Sequence, residues 1–112
     1  MVDDYRFGKI VLDGQSYDHD IIVHRGEVHN WWREKGHSVC EADLREVFEG
    51  GPSRLVLGTG AFGMVRVPKH VRDAVGQRGI ELVVGKSGKA VRDFNRSLDR
   101  GEDVALAVHL TC

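Results

Sequence analysis

Little in the sequence would stiffen, staple or anchor the chain. Two prolines and two cysteines in 112 residues exclude a collagen-type repeat and a disulfide framework. Apolar runs stop far short of the roughly 18 to 20 residues a bilayer-spanning helix needs. The start, Met1-Val2-Asp3-Asp4-Tyr5-Arg6, has neither a basic n-region nor an apolar h-region, so the expectation is a soluble, cytoplasmic chain that meets no membrane. An excess of one charge is also missing. Sixteen Lys and Arg stand against 17 Asp and Glu, for a net charge of -1, with a pI of about 6.6. That balance lacks the electrostatic footprint of a general nucleic-acid binder.

Glycine, by contrast, is abundant: 14 residues where the usual share of roughly 7% would supply about half as many. The glycines have no period of three and are scattered among Val, Ile and Leu runs, not pooled with Ser and Pro as in a flexible linker. A chain of this length buries about two-thirds of its unfolded surface, so residues 1–112 are expected to form a single domain.

Lys9-Ile10-Val11-Leu12, the turn pair Asp13-Gly14, and Tyr17 to His24 predict a β-hairpin. Glu27 to Gly36 has no clean period and reads as irregular or extended. Leu44, Val47 and Phe48 have helical spacing over Glu41–Phe48, stopped by Gly50-Gly51-Pro52. Arg54–Leu57 reads as a short buried strand running into Gly58-Thr59-Gly60-Ala61-Phe62-Gly63, with Met64–Val67 extended again. Pro68 then suits a first helical residue before the stripe Val71, Ala74 and Val75. Ile80 to Val84 is a near-continuous apolar run of the kind covered on both faces. Ser87 is placed to cap a helix with the stripe Ala90, Val91, Phe94 and Leu98, and Asp103–Val108 is a last strand. The expected fold is an α/β domain bordering on α+β: three layers, with a central mixed sheet, helices and an N-terminal hairpin.

Gly58 to Gly63 spells G-x-G-x-x-G. A kinase loop would need a V-A-I-K lysine, an H-R-D loop and a D-F-G site, and none is present. A dinucleotide site would need the third glycine to open a helix, but Gly63 leads into an extended stretch. Sharp turning at a strand end explains these glycines without a ligand. The chemistry that remains open is a small-anion site made by Gly58, Thr59, Gly60 and Gly63 with Lys86 and the helix start at Ser87. His37-x-x-Cys40 and His109-x-x-Cys112 match no established zinc spacing, so no metal site is expected. No catalytic residue is assigned. Two surfaces could meet a protein partner: the pair Trp31-Trp32, since tryptophan is enriched at binding hot spots, and the basic stripe Lys89, Arg92, Arg96 and Arg100.

The order of Arg6-Phe7-Gly8, Trp32 with Gly36-His37, Asp43-Leu44, Leu57-Gly58-Thr59-Gly60, Ala90 to Asn95 and His109-Leu110-Thr111-Cys112 resembles a small single-domain family over essentially the whole chain. That family includes the adipogenesis-associated domain protein and, more distantly, a mitochondrial respiratory complex I assembly factor. The resemblance implies a three-layer α/β domain of unknown function with no cofactor and no agreed catalytic residues. The family usually has threonine where this chain has Ser87, which keeps the hydroxyl. Residues and resemblance together favour a non-enzymatic protein-interaction or assembly factor, a monomer or weak homo-oligomer, over a small-molecule or anion binder.

Overall fold

Two tight turns organise the first thirty residues. In the computed structural model, which describes Met1–Cys112, Asp13 and Gly14 have φ of 49° and 82°, the primed geometry that matches strand twist. They join β2 (Lys9–Leu12) to β3 (Gln15–Tyr17), and β1 (Val2–Arg6) pairs antiparallel on the other side of β2. Arg25 and Gly26 repeat the turn, with φ of 50° and 78°, between β4 (Ile21–His24) and β5 (Glu27–Asn30).

The expected second strand over Tyr17–His24 is thus divided, and its two halves lie in different sheets. The reason is burial. Gln15-Ser16-Tyr17 is polar enough for a small outer sheet, whereas Ile21-Ile22-Val23 needs cover on both faces, which only an interior strand provides. All four residues of β4 are buried. The stretch read as irregular supplies β5, a mostly exposed edge strand whose polar sequence carries no apolar period.

A 3-10 turn (Glu41–Leu44) leads into α1 (Arg45–Gly50). Then follow β6 (Arg54–Gly58), α2 (Lys69–Gln77), β7 (Glu81–Gly85), α3 (Ser87–Asp99) and β8 (Val104–Val108). Pro68 precedes α2 as its cap, with an extended ψ of 156°, and is not its first residue. Met64–Val67 joins no strand, apart from a bridge between Arg66 and Ser38.

The large sheet has the order β5-β4-β8-β6-β7, with β6 parallel to both β7 and β8 and with β4 antiparallel to β5 and β8. Its two faces carry separate cores. One gathers Ile22, Trp31, Leu55 and Leu57 with Val47 of α1 and Val71 and Val75 of α2. The other gathers Ile21, Val23, Val56 and Leu106 with Ile10 and Leu12 of the small sheet and Phe94 of α3. The result is the three-layer domain with a mixed central sheet that the residue pattern predicts. A further detail differs: Leu82, Val83 and Val84 meet both cores but remain half-buried, because β7 is an outer strand of the sheet. No helix is long and apolar enough to cross a membrane.

Candidate functional site

Gly58, Gly85 and Val108 end the three parallel strands side by side. From β6 the chain crosses to β7 on one side, then returns past β6 to place β8 on the other. Such a reversal opens a crevice at the carboxyl ends of the strands, the usual ligand position in open α/β sheets.

Here the chain fills that crevice itself. Ala61 N–H donates to Thr111 O at 2.6 Å, and Met64 N–H to Cys112 O at 3.0 Å. Ser87 is fully buried: its Oγ accepts from Gly60 N–H at 2.9 Å and donates to His109 O at 2.5 Å. Ser87 therefore does not cap α3. Lys86 occupies the cap position without a side-chain bond, and the Ser87 hydroxyl ties the loop to the C-terminal segment. Gly60 has φ of 109°, and a Cβ there would overlap the Cys112 carbonyl and the His109 ring. This close crossing of two backbones accounts for the middle glycine of the motif.

The residues nominated for an anion site do come together, but most of their polar groups are already paired. Thr59 is buried, and its N–H and Oγ1 both donate to Gly85 O, at 2.9 and 3.2 Å. Gly58 packs so closely that a Cβ would stand 2.8 Å from Ser87 Oγ. Gly63 and Lys86 lie at the exposed rim. The two largest cavities, about 410 and 350 Å³, lie elsewhere, beside Phe48 and Arg78 and beside His24 and His29.

Below the crossing lies a polar cluster that sequence reasoning missed. Asp20 Oδ2 is 2.9 Å from Arg33 Nη2 and 2.7 Å from His109 Nδ1, while Asp20 Oδ1 accepts from Leu110 N–H at 2.8 Å. A guanidinium only donates and a carboxylate only accepts. His109 Nδ1 faces one of each, Asp20 Oδ2 and, at 3.1 Å, Arg33 Nη2, and its Nε2 faces Thr111 Oγ1 at 3.3 Å. The Arg33 side chain is only 6% exposed, with its guanidinium 4.5 Å from the centre of the Trp31 ring. Tyr5 joins from β1, donating its hydroxyl to Leu110 O at 3.0 Å, and burial raises its pKa. Asp20, Arg33 and His109 are so far apart along the chain that no local motif could reveal them.

The two tryptophans separate. Trp31 is buried and donates Nε1–H to Asp43 O at 3.1 Å, which removes it from any contact surface, while Trp32 is 74% exposed. On α3, Lys89 and Arg96 share Asp93 at 2.7 and 3.5 Å, and Arg100 meets Glu102 at 3.0 Å. Arg92 is exposed and forms no ion pair. Both cysteines are free, and burial together with Asp43 and Glu34 pushes the Cys40 thiol up, away from the thiolate a nucleophile needs.

A second feature outside the predicted set is an apolar patch beside the filled crevice. Phe7 and Phe62 are 57% and 67% exposed and Met64 54%, and the two rings lie with centroids 6.0 Å apart. Phe62 is one of the variable positions of the glycine motif, where attention to the glycines conceals it.

The fold recurs in solved structures. A conserved hypothetical protein from Pyrococcus horikoshii aligns with a TM-score of 0.89 at 22% identity, covering 100% of this chain and 99% of that one. A protein named MT938 aligns with a TM-score of 0.86 at 27% identity, covering 100% and 98%. A Bartonella henselae protein described as an outer membrane protein aligns with a TM-score of 0.85 at 24% identity, covering 99% and 94%. A family model matches residues 2–109, and the chain belongs to that family, a protein family of unknown function (DUF498/DUF598).

Proposed function

We propose that this domain acts through protein contacts, as a non-enzymatic accessory or assembly-type factor of the cytoplasm. The observation that carries this reading is the Phe7–Phe62 pair, two mutually packed and exposed rings with Met64 on the same loop. Burying such a side chain in a partner is worth about 1.5–3 kcal/mol, and aromatic residues dominate binding hot spots. The loop that presents Phe62 is held by bonds from Ala61 and Met64 to the C-terminal segment. The patch is therefore ordered before any partner arrives, which lowers the cost of association. Trp32 is a secondary contact.

A second reading, a small anion at the rim beside Lys86 and Ser87, rests on the amides of Gly88 and Lys89. Both lie in the first turn of α3 and have no acceptor within the chain.

Affinity capture from native extract with the wild type, Phe7→Ser, Phe62→Ser, Trp32→Ala and Arg96→Glu separates the two. The expected result is a specific partner lost with either phenylalanine variant. A partner indifferent to both would overturn the apolar patch as its contact. An empty capture, together with thermal stabilisation by phosphate that Lys86→Ala abolishes, would favour the anion reading.

A further inference from the structure

β7 is paired on one side only, with β6. Arg54 stands opposite Glu81 in the parallel register, Glu81 N–H donates to Ser53 O, and Thr59 N–H donates to Gly85 O. These bonds aim the backbone groups of Glu81, Val83 and Gly85 at β6. Because the direction alternates along a strand, the N–H and C=O groups of Leu82 and Val84 point out of the sheet. Neither residue takes part in any hydrogen bond outside the regular ladders. Sheet edges are normally blunted by Lys, Pro, a bulge or a covering segment. β7 reads Glu-Leu-Val-Val-Gly in an unbroken register with its apolar side chains half-buried, so its edge is left available for pairing.

A groove of about 190 Å³ runs between β7 and α3, with Val56 and Val83 as its apolar lining, Arg54, Arg96 and Arg100 as its basic lining and Glu81 and Asp93 as its acidic lining. Lys89 extends the same side toward the end of the strand, where its stem passes Gly85: a Cβ on that glycine would lie 3.6 Å from Lys89 Cδ. The acids present are already shared. Glu81 is held by Arg54, Asp93 serves Lys89 and Arg96, and Glu102 serves Arg54 and Arg100, so these four bases exceed the three acids by one.

We propose that the β7 edge accepts an extended acidic segment of a partner protein as an added strand. Its backbone pairs with Leu82 and Val84, the affinity term in strand addition. Alternate acidic side chains lie over the bases of α3, and the intervening apolar ones continue the Leu82 and Val84 face toward α2. A second copy of this chain is the poorer occupant, because pairing β7 with itself would bring two basic α3 stripes together, and like charges across an interface cost affinity. This surface does not rest on the Phe7–Phe62 patch.

The test is an NMR titration of the full chain with a capped peptide alternating glutamate and valine, beside the same peptide with lysine in place of glutamate. The expected result is that the Leu82 and Val84 amides, fast to exchange in the free protein, become protected by the glutamate peptide alone. Arg96→Glu, a surface change that leaves the core intact, should weaken that binding at least about tenfold. Val84→Pro, which removes an outward N–H that the sheet does not use, should abolish it. Equal binding of the lysine peptide, or shifts centred on Phe7 and Phe62, would overturn the proposal. So would Leu82 and Val84 amides whose protection rises with protein concentration alone, which would identify a second copy as the occupant.

Discussion

The crevice at the strand ends and the outer edge of β7 begin with the same deficit, backbone groups that the sheet leaves unpaired. At the strand ends the chain supplies the missing partners itself. The loop after β6 and the segment after β8 cross and bond to one another, with Ser87 between them and Asp20 beneath. At the edge nothing is supplied, and Leu82 and Val84 keep their groups free. Position within the sheet therefore does not say where a partner docks. The usual ligand crevice of this topology has been converted into internal structure, and the available hydrogen-bonding surface lies along the edge.

The comparison breaks most severely at Asp20. Its carboxylate serves Arg33, His109 and the Leu110 amide, so Asp20→Ala strands a buried guanidinium. We expect a loss of about 3–5 kcal/mol in urea unfolding, and a loss below about 1 kcal/mol would show that the crossing closes without this cluster. Gly60→Ala comes next. It combines a left-handed backbone with overlap onto Cys112 and His109, for about 2–3 kcal/mol. Val84→Thr, at the open edge, should cost about 1 kcal/mol or less in the same assay. Equal costs for Gly60→Ala and Val84→Thr would erase the distinction between the sealed and the open regions.

The smallest effect belongs to the opposite end of β8. Asp103 is held below the usual carboxylate range, first by its hydrogen bond from Arg25 and further by His24, against the opposing effect of burial. A lowered folded value means that its contribution is complete above the ordinary carboxylate pKa and is lost as pH falls through the folded value. Thermal stability should therefore decline in acid, below about pH 4, less steeply in Asp103→Asn than in the wild type. Parallel acid limbs would remove Asp103 from that role.

Much of this was legible in the sequence because the signals are local. Asp13-Gly14 marks a turn, and the strand–helix alternation from Arg54 to Val108 marks a layered α/β half with a mixed sheet. The loop Gly58 to Gly63 and the helix start at Ser87 read as two sides of one crevice at the strand ends, and the structure does bring them together. The use of that loop was not legible. A glycine cluster looks the same whether a phosphate or another stretch of backbone makes the close approach. Trp31 and Trp32 likewise differ only in which face of the chain turns inward, and the apolar run at Ile80–Val84 does not say that its strand lies outermost.

By itself the sequence determined the Asp13-Gly14 turn, the helices, the strand–helix alternation of the second half and the balanced charge, since each depends on composition or on residues within a few positions of one another. Tertiary structure alone decided three things. It sent Ile21–His24 to the interior of the large sheet, it brought Asp20, Arg33 and His109 together, and it filled the crevice while leaving β7 uncovered. These depend on which distant segments compete for the same buried space. The physical reason is that burial and hydrogen-bond pairing are satisfied by the whole fold at once, whereas turn and helix preferences are satisfied locally.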